Sequence, residues 1–176
     1  YTTPKPFIPV NGVPLYRLAL SSYPMVDHTA LVIPASLEHD FPGDDDHLTV
    51  LSIDTPTDGP LQTAFLALLV SGSDDELLIA DCDALIHPDE LRWCLARWRA
   101  DGASGGVTVR RTTDPDVSYA EFHPRKGHPP WKVVRTAERE PLSAWSTTCH
   151  YWLKRATAFA RCGQVAMQKG IVSIAP

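Results

Sequence analysis

Two carboxylates stand one residue apart at the end of an apolar run. Residues 77–86 read LLIADCDALI, and Asp81 and Asp83 follow the part that is typical of a buried strand. Positions i and i+2 of an extended strand point to one face, so we expect both carboxylates to meet one ligand. Two anions that close repel each other unless a cation lies between them. Because Mg²⁺ prefers a few carboxylate oxygens together with substrate phosphates, we predict a magnesium site in which Asp83 is the nearer ligand.

A second segment with chemical potential is PTDGPLQTA, residues 56–64. Gly59 lets backbone N–H groups approach a flat ligand closely, and Gln62 or Thr63 can read the edge of a base. The N-terminus of the helix that follows attracts negative charge. This segment therefore predicts a place for a nucleotide.

Two further segments carry charges that suit a phosphorylated ligand. In TPKPFIPVNG, residues 3–12, Lys5 lies between two prolines, whose stiff backbone places its ammonium group for a phosphate contact. In VVRTAEREPLS, residues 133–143, Glu138 is followed by Arg139. Arginine grips phosphate with two hydrogen bonds and glutamate accepts hydrogen bonds from hydroxyl groups, so this pair suits a phosphorylated polyol.

Each of the four segments also has a purely structural interpretation. Aspartates cap turns and helices, PTDG is ordinary turn chemistry before a helix, and adjacent Glu and Arg commonly form a surface ion pair. A lysine on a proline-rich arm can simply be solvated. The histidines form no HxH or HExxH pattern, and no GxSxG or Cys-His signature stands out, so a protein nucleophile is not favoured.

Length and composition predict one compact domain over residues 1–176. The chain is 44% hydrophobic, which is enough for a real core, and its formal net charge of −5 disfavours nucleic-acid and membrane partners. No apolar run approaches membrane-spanning length, and the first residues show no signal-peptide pattern. The four cysteines lack CxxC spacing, as expected for reduced thiols of a cytoplasmic protein. A homo-oligomer is left open.

The elements that must position these residues alternate between apolar strands and amphipathic helices, which is typical of α/β proteins. The later part of the chain is rich in hairpin patterns, so we predict a three-layer α/β fold whose sheet is mixed but mostly parallel. The predicted helices cover residues 15–22, 61–70, 88–100 and 156–162. The predicted strands cover residues 7–10, 29–33, 48–53, 76–80, 106–111, 118–122, 131–136, 147–153 and 171–174.

Taken in order, the four segments resemble one family. PKPFIPVNGVPLYRLAL resembles the PKPLIPVxGKPMI segment of sugar nucleotidyltransferases, also called nucleotide-sugar pyrophosphorylases. TDGPLQTAFLAL is similar to the TxGxxxTA segment of that family, LLIADCDALI to its strand ending in a metal-binding Asp, and AEREPLSAWSTTCHYW to EKxxIS…STGIYYF. The similarity runs to about residue 160, and the subgroup it resembles most is that of capsule and surface-polysaccharide gene sets.

The resemblance implies a Rossmannoid, GT-A-like nucleotidyltransferase fold and Mg²⁺-dependent transfer of a nucleotidyl group from an NTP to a phosphorylated acceptor. A sugar 1-phosphate is the simplest acceptor, and pyrophosphate is released. By the same resemblance, Lys5 and Asp83 are catalytic, Asp83 and Asp81 hold the metal, Thr57, Gly59, Gln62 and Thr63 bind the nucleotide, and Glu138 and Arg139 bind the acceptor.

Two alternatives are compatible with the sequence. A GT-A glycosyltransferase that uses a nucleotide sugar also has a DxD sequence, but it does not need the PKP lysine. A non-catalytic module that binds nucleotide sugars is the second alternative. The two differ from a nucleotidyltransferase in releasing no pyrophosphate.

Three departures from the family pattern stand out. The glycine-rich GxGxR loop should lie immediately before Tyr1 and is absent from the chain, and we expect that it precedes these residues in the protein. Arg139 replaces the usual Lys, which preserves the charge but changes the donor geometry. Cys149 stands where Gly is usual, which puts close approach of the acceptor to the backbone in doubt.

Overall fold

The computed structural model describes residues 3–23, 26–41, 47–123 and 132–174, and these form two compact units. The first unit contains residues 3–23 and 77–154, and the second contains residues 26–76 and 155–174. The predicted α/β class is confirmed, while one domain over residues 1–176 and the three-layer arrangement stay predictions. The strands are β1 Pro9–Val10, β2 Val13–Pro14, β3 Thr29–Pro34, β4 Leu48–Ile53, β5 Leu77–Ala80, β6 Gly105–Arg111, β7 Ser118–His123, β8 Lys132–Glu138 and β9 Trp145–Leu153, and the helices are α1 Leu15–Ser21, α2 Pro60–Ser71, α3 Pro88–Ala100 and α4 Ala156–Gln168.

The sheet of the first unit is organised around β9. This strand pairs with β5, β6 and β7, and β8 extends the sheet beyond β7; every one of these pairs is antiparallel. Leu153 and Ser146 each have one partner in β6 and a second partner in β5 or β7. Strands β5 and β7 therefore share the edge of β9 that lies opposite β6.

A gap separates β5 from β7 along that shared edge. Ala80, the last residue of β5, lies opposite His150, whereas Tyr119 of β7 lies opposite Ser146. Residues 147–149 of β9 thus have no pairing partner in β5 or β7. The chain that leaves β5 after Ala80 emerges at this gap, and it carries the two predicted metal ligands.

Helix α3 covers one face of the sheet with the apolar stripe that its spacing predicts. Leu91, Leu95 and Trp98 are buried with Trp152 of β9, and the rings of Trp98 and Trp152 stack with centroids 5.8 Å apart. A Cβ at Gly106 would lie 2.3 Å from the Trp98 ring, so only glycine admits this packing. The helix spans residues 88–100 as predicted, and Gly102, with φ of 65°, terminates it.

The second unit combines two parallel strands with two helices. Strand β3 pairs with β4 from Thr29 opposite Leu48 onward, and α2 packs against β3 and α4. Helix α2 begins at Pro60, one residue before the predicted start, and ends before Gly72, whose φ is 61°. No helix in the described ranges is long and apolar enough to cross a membrane.

Three predictions about the elements need correction. Mostly parallel pairing is not what the structure shows, because β3–β4 is the one parallel pair among the described strands. These two strands are joined by a long connection that allows a crossover, whereas β7 and β8 form a hairpin, which reverses the chain. Helix α4 continues past the predicted end at residue 162, because Gly163 is buried against α2 rather than ending the helix.

The third correction concerns residues 171–174, which form no strand. The carbonyl oxygen of Val172 instead accepts the N–H of Leu61 at 3.0 Å. The first N–H groups of a helix have no partner within the helix, so this contact satisfies one of them at the start of α2. The predicted hairpin of residues 118–122 and 131–136 is confirmed as β7 and β8, except that residue 131 lies outside the described residues.

Gly59→Ala is expected to lower the free energy of unfolding by roughly 1–3 kcal/mol through overpacking. A Cβ at this position would meet the backbone oxygen of Val172 at 2.7 Å and its Cβ at 2.9 Å. The backbone would have to move, and the hydrogen bond to Leu61 would move with it. Urea unfolding followed by circular dichroism measures the loss.

Gly163→Ala is the matched control in the same unit. Its Cβ would lie 3.6 Å from side-chain atoms of Leu61 and Phe65, which is ordinary contact. Alanine is also the better helix former by roughly 0.8–1 kcal/mol, so this variant should keep or gain stability. An equal loss in both variants would contradict the close-approach explanation for Gly59.

Candidate active site

An ion pair joins two of the residues that the sequence singles out. The ammonium group of Lys5 contacts the carboxylate of Asp83, although the two residues are far apart in the chain. The Lys5 side chain is 74% exposed and that of Asp83 is 18% exposed, so the cation remains accessible to a ligand while the anion is held in place. The hydrogen bond to Asp83 and then the charge of Asp83 raise the pKa of Lys5.

The local sequence explains how Lys5 is held. Lys5–Phe7 form one 3₁₀ turn that begins after Pro4, and the ring of Phe7 packs edge-on against Tyr16 of α1 at 5.8 Å. The following hairpin β1–β2 is closed by Asn11 and Gly12, both with positive φ, which is the geometry that an Asn-Gly hairpin predicts. The segment is therefore docked on α1, and Lys5 projects from it.

The two aspartates lie in a turn rather than on an extended strand. Strand β5 ends at Ala80, and the N–H of Ala84 donates to the carbonyl oxygen of Asp81 at 3.1 Å. The expectation that both carboxylates project from one face of an extended strand is therefore wrong. The charge of Asp81 nevertheless adds to the rise in the pKa of Lys5, so both carboxylates act on the same ammonium group.

The donor set at this turn fits a hard divalent cation. The described residues contain no group of three or more His, Cys, Asp or Glu side chains that could hold a metal. Mg²⁺ is usually bound by one or two carboxylates together with substrate phosphates, so Asp81 and Asp83 match that requirement. Burial, followed by the charges of these aspartates, raises the pKa of the Cys82 thiol. A thiol that stays protonated is neither a metal ligand nor a nucleophile.

Cys149 occupies a strained position beside the same turn. Its φ is 60°, and the register of β6 against β9 shifts across this part of the strand. Burial, then the charge of Asp81 and a hydrogen bond with it, raise the pKa of Cys149 to about 12. The usual glycine of the family pattern is explained by this left-handed backbone, which glycine adopts without strain.

Cys149→Gly is expected to give a protein about 1 kcal/mol more stable than Cys149→Ala, because only glycine relieves the left-handed conformation. Both variants remove the thiol that bonds Asp81, so the comparison isolates the backbone. Urea unfolding of the two variants side by side measures the difference. An alanine variant that is as stable as the glycine variant would show that the backbone is not strained.

Glu138 and Arg139 lie at the end of β8. Both side chains are exposed, and Arg139 has a φ of 54° while its N–H donates to the carbonyl oxygen of Val117 at 2.9 Å. Among the described contacts, none joins the Arg139 guanidinium to Lys5 or Asp83. The grouping of these cations around one ligand stays a prediction.

Tyr151 lies on β9 and is a residue that the sequence analysis does not single out. Its hydroxyl lies 3.2 Å from Oγ1 of Thr147. Burial raises the pKa of Tyr151 to about 12, and the charges of Asp81 and Glu138 add to that rise. The charges of Asp81 and Glu138 therefore both act on the Tyr151 hydroxyl. Nothing in a run of aromatic residues at a strand end distinguishes such a tyrosine from a core residue.

The predicted nucleotide segment lies in the second unit. The hydroxyls of Thr57 and Thr63 are 2.6 Å apart, and Gln62 Oε1 accepts the N–H of Asp58 at 2.7 Å. Gly59 provides the space for Val172 described above. The four residues are thus brought together as the N-terminal cap of α2, and their binding of a nucleotide stays a prediction.

Comparisons with known proteins identify the class to which this chain belongs. Residues 1–168 match the family described as the MobA-like NTP transferase domain, and the chain belongs to this family. It is a nucleotidyltransferase by that membership. No curated protein matches the chain in sequence.

Several solved structures share the fold at low sequence identity. The nucleoside-diphosphate-sugar pyrophosphorylase from Vibrio cholerae RC9 has a TM-score of 0.68 and 18% identity over 95% of this chain and 71% of that chain. The inositol-1-phosphate CTP transferase from T. maritima has a TM-score of 0.70 and 17% identity over 90% of this chain and 64% of that chain. The 2-C-methyl-D-erythritol 4-phosphate cytidylyltransferase from Francisella tularensis has a TM-score of 0.64 and 16% identity over 98% of this chain and 77% of that chain.

Proposed function

We propose that this protein moves a nucleotidyl group from an NTP to a phosphorylated acceptor, most simply a sugar 1-phosphate, with Mg²⁺ as cofactor. The observation that carries the proposal is the contact of Lys5 with Asp83 at the turn after β5. Family membership supports the transfer from an NTP. The similar structures are named as a sugar pyrophosphorylase, a CTP transferase and a cytidylyltransferase. These names support a phosphorylated acceptor.

The reaction exchanges one phosphorus–oxygen bond for another. An oxygen of the acceptor phosphate bonds to the α-phosphorus of the NTP. The bond from the α-phosphorus to the oxygen that bridges it to the β-phosphorus breaks, and pyrophosphate leaves with the electron pair. Such chemistry depends on positioning and on charge neutralisation rather than on a protein nucleophile, which agrees with the protonated state of Cys82 and Cys149.

Each predicted site residue has its own role in the proposed reaction. Asp83, assisted by Asp81, would hold Mg²⁺, which when bound neutralises phosphate charge and orients the triphosphate. Lys5 is exposed enough to exchange its bond with Asp83 for one with a phosphate oxygen. Glu138 would accept hydrogen bonds from acceptor hydroxyl groups, and Arg139 would bind the acceptor phosphate. The cap of α2 formed by Thr57, Gly59, Gln62 and Thr63 would receive the nucleotide.

The narrower sequence predictions belong to the same proposal. They comprise a cytoplasmic setting, the capsule or surface-polysaccharide subgroup, and a single nucleotidyltransferase-like domain over residues 1–176.

Pyrophosphate release measures the proposed activity directly. The full-length protein is incubated with each of the four common NTPs, a set of sugar 1-phosphates and Mg²⁺, and the nucleotidylated product is identified by mass spectrometry. Pyrophosphate and product in equal amounts support the proposal. Consumption of a nucleotide sugar without pyrophosphate would instead identify the glycosyltransferase alternative, and nucleotide binding without any turnover would identify the binding module.

A further inference from the structure

A half-buried tyrosine bridges two segments that are distant in the sequence. Tyr23 follows α1, and its hydroxyl donates to the carbonyl oxygen of Ala84 at 3.1 Å. The same hydroxyl oxygen lies 3.1 Å from Nε2 of His150 on β9. Because a hydroxyl has one hydrogen and Ala84 receives it, we assign the imidazole as donor of the second bond.

The histidine of this bridge is fully enclosed. His150 has no exposed surface, and its ring meets that of Tyr23 edge-on with centroids 5.8 Å apart. Its other ring nitrogen lies 3.4 Å from Oγ1 of Thr148, so both nitrogens have a partner. A buried imidazole with both nitrogens satisfied is held in one orientation, since losing either bond would leave an unpaired polar group.

The carbonyl that Tyr23 holds belongs to the turn of the candidate active site. Ala84 donates its N–H to Asp81 and accepts the Tyr23 hydroxyl at its carbonyl, so both of its backbone polar groups are bound. His150 lies opposite Ala80, the residue before Asp81. The bridge therefore grips the Asp81–Ala84 turn at both ends.

We propose that Tyr23 and His150 are positioning residues that fix the Asp81–Ala84 turn so that the carboxylate of Asp83 meets its cation in one orientation. This rests on the proposed function for its catalytic consequence, but the bracing of the turn does not. Tyr23 also packs against the apolar cluster of the first unit, where a phenylalanine would fill the same space. The hydroxyl adds nothing to that packing, so its contribution is the hydrogen bond to the carbonyl oxygen of Ala84.

The test compares Tyr23→Phe with the unchanged protein in three measurements. Hydrogen exchange of the ligand-free protein should show the Ala84 amide exchanging at least tenfold faster. Titration with Mn²⁺, followed by its electron paramagnetic resonance signal, should show binding weakened by about tenfold. Steady-state kinetics should show a lower kcat with a nearly unchanged KM for the acceptor.

Tyr119→Phe is the matched control in the same unit. Tyr119 is buried, and its hydroxyl also donates to a loop carbonyl, that of Asp114, which is not part of the Asp81–Ala84 turn. It should lower the melting temperature by a similar amount without changing Ala84 exchange, Mn²⁺ binding or kcat. If Tyr23→Phe behaves in the same way as this control, the proposal is overturned.

Two variants of His150 test whether its hydrogen bond to Tyr23 matters or only the size of its side chain. His150→Gln keeps an N–H donor near the position of Nε2 and should retain most of the Mn²⁺ affinity and of the slow Ala84 exchange. His150→Leu removes the donor and should reproduce Tyr23→Phe. Equal behaviour of both histidine variants would refute the role of the bond.

The two proposals fail in distinguishable ways. A protein without turnover whose Ala84 exchange still rises in Tyr23→Phe refutes the nucleotidyl transfer proposed above and supports the brace. Turnover that survives Tyr23→Phe, with unchanged exchange, refutes the brace and leaves the nucleotidyl transfer standing.

Discussion

Replacing Asp83 with asparagine is expected to lower kcat/KM for nucleotidyl transfer by about a thousandfold, because one change removes the charge that Lys5 contacts and that the proposed metal would use. Asparagine has nearly the same shape and keeps one side-chain oxygen, so the turn that begins at Asp81 should survive. Pyrophosphate release at saturating Mg²⁺ measures the loss, and Mn²⁺ titration shows whether it comes from metal binding.

The control for this change is Asp89→Asn in the same unit. Asp89 is exposed in the first turn of α3, where it pairs with Arg92. Removing its charge should alter activity by less than about twofold, since an exposed ion pair contributes little. Asp81→Asn should fall between the two. An Asp83→Asn enzyme as active as the Asp89→Asn enzyme would refute the assignment of Asp83.

Lys5→Met is expected to change activity and metal affinity in opposite directions. Loss of the ammonium should lower kcat/KM by about a hundredfold, since a charge that stabilises the transferring phosphate is gone. The same ammonium contacts Asp83 when no substrate is bound and so competes with a cation there. Two unit charges about 4 Å apart in water interact by about 1 kcal/mol, and Mn²⁺ carries two charges, so the repulsion is about 2 kcal/mol and Mn²⁺ should bind the free variant about thirtyfold more tightly.

Lys154→Met, at an exposed position in the same unit, is the control for removing a lysine. It should leave both kcat/KM and Mn²⁺ affinity unchanged. Lys5→Arg keeps the charge but not its compact geometry, and we expect it to restore the weaker metal binding of the native protein and only part of the activity. Weaker metal binding by Lys5→Met would contradict the competition between the ammonium and the cation.

The elements that local patterns define were predictable from the sequence. Helix α3 follows from the spacing of Leu91, Leu95 and Trp98 together with Pro88 at its start and Gly102 after its end. The β1–β2 hairpin follows from Asn11-Gly12 in the same way. These features depend on residues that are close in the chain, so periodicity and turn chemistry suffice.

The features that the sequence could not supply depend on pairing across the chain. The antiparallel direction of β5 and β6 against β9 is set by the path of the intervening segments, and no residue in those strands encodes it. Tyr23 and His150 are hydrogen-bonded across 127 positions. The residue type of Cys149 gives no sign of its left-handed backbone, and the one indication is that the family pattern usually has glycine at this position.

The gap on the edge of β9 separates the aspartate turn from the β7–β8 hairpin. The aspartate turn leaves from β5 at one end of the gap, and the β7–β8 hairpin, which carries Glu138, joins β9 at the other end. A change of length or sequence in the hairpin need not disturb β5, because the two strands meet β9 at different residues. Under the function proposed above, changes in this hairpin would therefore alter acceptor binding while the aspartate turn stays the same.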